Sequence, residues 1–223
     1  AVDGNLDYYF INGPEIKDVV GRYVGLTGKM PLPALWTLGY QQCRWSYESE
    51  ARLMEVAHAF REKDIPCDTL YLDIDYMNGY RVFTWNNERF PNPKAMIQKL
   101  NEMGFKVVTI IDPGVKADEA YDVYQEGLAN NYFAKDEEGA VYHNEVWPGD
   151  SVYPDFASSK TRAWWGDLQE RMVNTGVSGI WNDMNEPASF KGPLPDEVMF
   201  NEDGLLVQHK EVHNIYGHLM AKA

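Results

Sequence analysis

The sequence predicts an α/β fold in which parallel strands alternate with amphipathic helices, and three observations point to it. The chain has 223 residues, close to the size of one closed α/β barrel. Short runs of β-forming residues begin at 35, 69, 105 and 177, spaced 34, 36 and 72 apart, and helical apolar patterns lie between them. Each run also ends in polar residues, as strands do at the catalytic face of a parallel barrel.

The elements follow in order. Residues 1–30 read as a lead-in and a helix. Gly13-Pro14 opens it, Ile16, Val19, Val20, Tyr23 and Val24 form its stripe, and Gly25 and Gly28 end it. Residues 31–223 read as barrel. Pro31 and Pro33 precede a first strand over 35–40. Ser46 is placed to cap a second helix, whose Leu53, Val56, Ala57 and Phe60 repeat at i, i+3, i+4 and i+7. Residues 69–74 form the second strand. Asn92-Pro93 is a cap followed by proline at the first helical position, with Met96, Ile97, Leu100 and Met103 as the stripe and Gly104 after the last turn. Residues 105–111 are nearly continuous apolar β-formers, as in a strand buried on both faces.

The double-length third step predicts an insertion over about 112–160, because a structureless loop of that size is rare. A helix near 118–130 and a hairpin turning at Asp136-Glu137-Glu138-Gly139 fit it. A helix over about 161–175, carrying Trp164 and Trp165 as packing residues, leads to a fourth strand over 177–181. Residues 191–204 read as a loop before a last helix from about 210.

Formal net charge is −14, from 20 Lys and Arg against 34 Asp and Glu. That excludes nucleic acid as an expected partner and disfavours an anionic membrane surface. No apolar run reaches the length of a membrane span, and residues 1–10 lack the basic and apolar regions of a signal peptide. Two cysteines, Cys43 and Cys67, form no disulfide framework or metal spacing, so a cytoplasmic location is expected. Cys43 beside Arg44 has a route to a lowered pKa, but a buried thiol is the plainer expectation.

The strand ends carry the chemistry: Cys43-Arg44-Trp45, Asp73-Ile74-Asp75-Tyr76, Asp112-Pro113-Gly114 and Asn182-Asp183-Met184-Asn185-Glu186-Pro187. A parallel barrel gathers these into one mouth. Crowded carboxylates there shift one another's pKa values apart, so an ionised and a protonated acid can coexist. Carboxylates and aromatic platforms without a His or Cys nucleophile suit glycoside hydrolysis. Asp75 fits either substrate binding or a strand-end hydrogen bond, and Arg44 is expected to pair with a buried carboxylate. His209 and His213 share a helix face that reads as solvated, with His218 further on; Lys210 stands where a metalloprotease would need Glu.

The segment Trp181-Asn182-Asp183-Met184-Asn185-Glu186-Pro187 resembles the nucleophile signature of glycoside hydrolase family 31, the α-glucosidase branch. The likeness continues through Gly39-Tyr40-Gln41 to Tyr47, through 71–77 and 110–114, and through Val146-Trp147-Pro148-Gly149. The resemblance implies a TIM-type (β/α)8 barrel, with about the first four β/α units in this chain, and retaining hydrolysis of terminal α-linked glucose without a cofactor or metal. It implies that Asp183 is the nucleophile and that Glu186 supports it. Asp73 would bind sugar hydroxyls, with Trp45, Ile110, Asp112, Trp147, Trp181 and Met184 lining the same pocket. In the family the acid/base aspartate lies two strands beyond the nucleophile. Asp196, Glu197, Glu202, Asp203 and Glu211, which follow Asp183 here, match no such motif.

Expected partners are therefore an α-glucoside or oligosaccharide, and the missing half of the barrel or a second copy. Two alternatives stand beside the hydrolase. One is a metal-dependent barrel enzyme holding Mg²⁺ on Asp73, Asp112, Asp183 and Glu186. The other is a non-catalytic interaction fragment with open strand edges.

Overall fold

A computed structural model describes residues 7–223; residues 1–6 of the expected lead-in lie outside the described residues. Helix α1 (Ile16–Thr27) forms where the periodicity places it, and Gly28 ends it by donating its N–H to Val24 O at 2.9 Å. None of its residues is buried. Ile16, Val20 and Tyr23 stay exposed.

The strand expected over 35–40 is replaced by a 3-10 turn, Leu35–Leu38, and a two-residue strand β1 (Gln41–Gln42). Thr37 closes the turn, its N–H and Oγ1 both donating to Ala34 O. Leu35 remains 84% exposed, so the apolar run has no sheet face to bury against. Gly39 passes close beside the Asp68 side chain: a Cβ there would fall 1.6 Å from Asp68 Oδ2, so that carboxylate would have to swing away.

Helix α2 (Glu50–Glu62) is capped by Ser49, which accepts from Arg52 N at 3.2 Å, and not by Ser46, which is buried with its Oγ unpartnered. Leu53 and Ala57 carry its buried face. Strand β2 (Thr69–Leu72) stops earlier than expected, because Asp73 Oδ1 accepts from Ile74 N and starts a 3-10 turn, Ile74–Tyr76. Helix α3 (Pro93–Glu102) is capped by Asn92, which accepts from Ala95 N at 3.1 Å, and buries Met96, Ile97 and Leu100 as expected. Strand β3 (Lys106–Ile111) is buried from Val107 onward.

The insertion holds β4 (Val115–Lys116), α4 (Asp122–Ala129), β5 (His143–Val146) and β6 (Gly149–Val152). Helix α4 is shorter than expected because Asp118 is held outside it by Arg81 and by Ala120 N. The strands pair antiparallel in the order β4-β6-β5. The 136–139 turn closes only a single bridge, Lys135 to Val141, and the hairpin proper turns at Trp147-Pro148. Helix α5 (Ser159–Val173) buries Trp164 and Trp165 against the core, with Phe83 and Phe156 rings 4.8 and 5.3 Å from Trp165.

Strand β7 (Gly179–Asn182) completes a parallel sheet of order β1-β2-β3-β7, with β1 and β7 at its edges. The loop expected over 191–204 instead contains β8 (Met199–Glu202), which hairpins with β9 (Leu205–Gln208). Asp203-Gly204 makes the turn with both φ angles positive, 49° and 111°, as a type I′ hairpin turn requires. Helix α6 (His209–Lys222) follows. His209 is buried rather than solvated. Its Nδ1 sits 3.1 Å from Leu194 O, an acceptor, so that nitrogen carries the proton. Among the described residues no helix is long and apolar enough to cross a membrane.

Loss of a side-chain cap costs about 1 kcal/mol. Ser49→Ala is therefore expected to lower unfolding stability by that amount, read from the urea midpoint, while Ser46→Ala leaves the helix cap intact. Equal effects at the two positions would contradict the capping assignment.

Candidate active site

The sheet register brings the carboxylates together. Ile111 pairs with Asn182 across β3 and β7, so the next residues, Asp112 and Asp183, emerge side by side, and Asp183 N points to Ile111 O at 3.5 Å. Leu72 pairs with Thr109, which places Asp73 one step lower, level with Ile110 and Trp181. Asp112 is 6% exposed and its Oδ1 has no partner. Burial, and then the charges of Asp183, Asp73 and Glu186, push its pKa up to about 8. Burial also raises Asp73; the Ile74 N–H pulls the other way, and Asp183 and Asp75 add to the rise. Asp183 is half-buried and Glu186 exposed.

Arg44 was expected to pair with a buried carboxylate. It is exposed and appears in none of the ion pairs among the described residues. Asp75 is taken up elsewhere, accepting from Tyr80 Oη at 3.2 Å with Arg89 3.7 Å away. Cys43 is exposed rather than buried, and partial desolvation together with Asp73 raises its pKa instead of lowering it.

The walls are aromatic and aliphatic. Ile110 is buried, and its carbonyl accepts from Tyr76 Oη at 2.8 Å. Trp181 is half-buried and meets Tyr71 edge-on at 6.1 Å. Met184, directly after Asp183, has φ +55°, a left-handed backbone that non-glycine residues adopt rarely and that clusters at functional sites.

Trp45 and Trp147, 66% and 37% exposed, lie 5.9 Å apart. Phe190 packs edge-on against Trp147 at 4.7 Å, and its N–H donates to Glu145 O at 2.8 Å. That bond ties the loop after Pro187 to the β5–β6 hairpin. Sequence reasoning missed Phe190 and Tyr71; an aromatic three residues beyond the signature's proline was the available signal.

The acidic residues beyond Asp183 serve other ends. Asp203 accepts from Ser159 N and Oγ at the start of α5, and Glu211 accepts from Gln208 N in the capping box of α6. Among the described residues no group of three or more His, Cys, Asp or Glu is arranged to hold a metal, so the four carboxylates of the metal-dependent reading are not gathered as a ligand set.

Parallel strands joined by helices, with acids and aromatics at their carboxyl ends, define the catalytic face of a TIM-type barrel. Residues 30–223 match the sequence profile described as the glycosyl hydrolases family 31 TIM-barrel domain, and the chain belongs to that family. It is 51% identical to Alpha-glucosidase 2 of Bacillus thermoamyloliquefaciens over 100% of this chain and 29% of that protein. It is 43% identical to Glucosidase 2 subunit alpha of Schizosaccharomyces pombe, over 96% of this chain and 24% of the relative.

Among solved structures, a glucosidase II alpha subunit superposes with TM-score 0.87 at 34% identity, covering 94% of this chain and 23% of that one. A Flavobacterium johnsoniae dextranase of family 31, complexed with glucose, gives 0.86 at 33% identity over 94% and 26%. The chain thus spans less than a third of the length of these relatives, and its sheet is an arc of the barrel.

Asp112 binds a proton in the fold that the unfolded chain has released over the interval from about pH 4 to about pH 8. Stability tied to this group is therefore full below pH 4 and falls as pH rises to 8, by on the order of a few kcal/mol. Asp112→Asn is expected to gain stability relative to the parent across that window, as measured by urea unfolding at each pH. A constant offset at all pH values would contradict it.

Proposed function

We propose that this chain carries the nucleophile side of a retaining α-glucosidase site. The observation that supports this most is the placement of Asp183: it directly follows β7 inside the family signature, beside a carboxyl whose pKa is pushed up to about 8. The names of the relatives, α-glucosidases and a dextranase, suggest an α-glucosyl substrate.

In this reading Asp183 attacks the anomeric carbon as the bond to the leaving oxygen breaks, giving a glucosyl ester. Water then attacks the same carbon as its bond to the Asp183 oxygen breaks, which releases glucose, returns Asp183 as carboxylate and gives the water's proton to the departed alkoxide or to solvent. Asp73 accepts hydrogen bonds from the glucose hydroxyls. Asp112, protonated, presents an O–H to the sugar instead of a further negative charge beside the nucleophile. Trp181, Ile110 and Met184 line the glucosyl pocket, Glu186 supports the nucleophile's loop, and the exposed faces of Trp45 and Trp147 offer apolar platforms to the rest of the oligosaccharide. Among the described residues no carboxyl matches the acid that protonates a leaving alkoxide in this reading.

An aryl α-glucoside whose leaving group needs no proton is therefore expected to glucosylate Asp183 slowly, while maltose turns over little or not at all. Intact-mass and peptide spectrometry reads the adduct, which Asp183→Asn abolishes. Efficient maltose hydrolysis, or an adduct surviving in Asp183→Asn, would contradict the reading.

The open sheet supports a partner as well. Strand β7 is an edge with all four residues half-buried, and α1 exposes its apolar stripe. These faces are proposed to pair with further β/α units or with a second copy of the chain. Light scattering on the isolated chain is expected to show association; a monomer at every concentration would count against it.

A further inference from the structure

The loop that carries Asp183 and Glu186 is held from behind by helix α6, at two places. At its start, the buried His209 donates from Nδ1 toward Leu194 O and Pro195 O, 3.1 and 3.2 Å away. Two turns later, Gly217 meets Asn185, the residue between Met184 and Glu186. A Cβ at 217 would stand 2.8 Å from the Asn185 carbonyl oxygen and 3.1 Å from its Nδ2. The first of these is a backbone atom, and no rotamer change can move it aside.

The helix cannot yield in its place. Val212, Tyr216 and Met220 are buried in the core. Tyr216 donates from Oη to Pro154 O at 3.0 Å, and its ring packs on Phe156 at 5.1 Å. On the far side the loop is fastened to the sheet and the hairpin. Asp183 N reaches Ile111 O, Ala188 N donates to Met184 O at 3.0 Å, Phe190 N donates to Glu145 O, and Tyr153 Oη donates to Ala188 O at 2.9 Å. The loop is thus a layer of fixed thickness between α6 and the carboxyl end of the sheet, and the missing Cβ at 217 sets that thickness.

We propose that Gly217 is a positioning residue for the reaction: it fixes, through Asn185, the height at which Asp183 and Glu186 stand over the strand ends. The inference rests on the reading of Asp183 as nucleophile for its catalytic consequence, but not for its structural one.

Gly217→Ala separates positioning from general destabilisation by where protection is lost. Alanine is the better helix former, so helix propensity alone raises the melting temperature. The displaced Asn185 carbonyl loosens the loop. Hydrogen exchange at the amides of Asp183, Ala188 and Phe190 is expected to accelerate about tenfold, and adduct formation on Asp183 to slow about tenfold, since displacements below 1 Å at a reacting group carry costs of that order. Amides of β3 and α5 keep their protection. Gly21→Ala, on a face of α1 with nothing within 4 Å, serves as the control and changes neither readout.

Unchanged exchange at the three loop amides would overturn the proposal. So would a loss of protection spread through β3 and α5 with a fall in melting temperature, which marks a structural role only. If the parent chain forms no adduct, the nucleophile reading fails for the isolated chain, while the exchange comparison still decides the role of Gly217.

Discussion

The parallel pairing of β3 with β7 is the constraint on which the rest depends. It sets Ile111 against Asn182 and so forces Asp112 and Asp183 out of the sheet as neighbours. Two carboxylates in that position cannot both ionise cheaply when one of them is buried and unpartnered. The molecule resolves the conflict by protonation and not by pairing, since no lysine or arginine forms an ion pair with either among the described residues. An arginine beside Asp112 would relieve the repulsion by pairing instead.

The surrounding elements act as supports for that juxtaposition. The β5–β6 hairpin grips Phe190 through Glu145 O, α6 backs Asn185 through the absence of a side chain at 217, and Tyr76 holds the Ile110 carbonyl from within the core. Met184 absorbs the sharp change in chain direction after Asp183 with a left-handed backbone. Trp45 and Trp147 stay outside this shell with large faces in solvent, where apolar surface is useful only to something that binds.

What the sequence made legible was whatever local chemistry decides. Asn92-Pro93 capped a helix as written, β3 read as buried because Val107 to Ile111 are five consecutive β-formers, and the acids after β2, β3 and β7 could be placed by topology alone. Local pattern failed where tertiary contacts decide. The run at 35–40 looks like a strand by composition, but a 3-10 turn wins because nothing covers Leu35. Ser46 read as the cap of α2, but the helix starts at Glu50 and Ser49, the residue before it, caps it by accepting from Arg52 N. Asp203-Gly204 was a readable hairpin signal, masked by the prolines and glycines before it. His209 read as solvated because its acceptors, Leu194 O and Pro195 O, come from a segment that no helical periodicity reveals.

Asp112 holds its proton first because it is buried, and the charge of Asp183 beside it strengthens that hold. Carbon-13 NMR of the chain labelled at aspartate side-chain carboxyls measures this directly, residue by residue. The account predicts an Asp112 midpoint near 8 that moves down when Asp183→Asn removes the neighbouring charge. A midpoint in the ordinary carboxylate range, or one indifferent to Asp183→Asn, would contradict it.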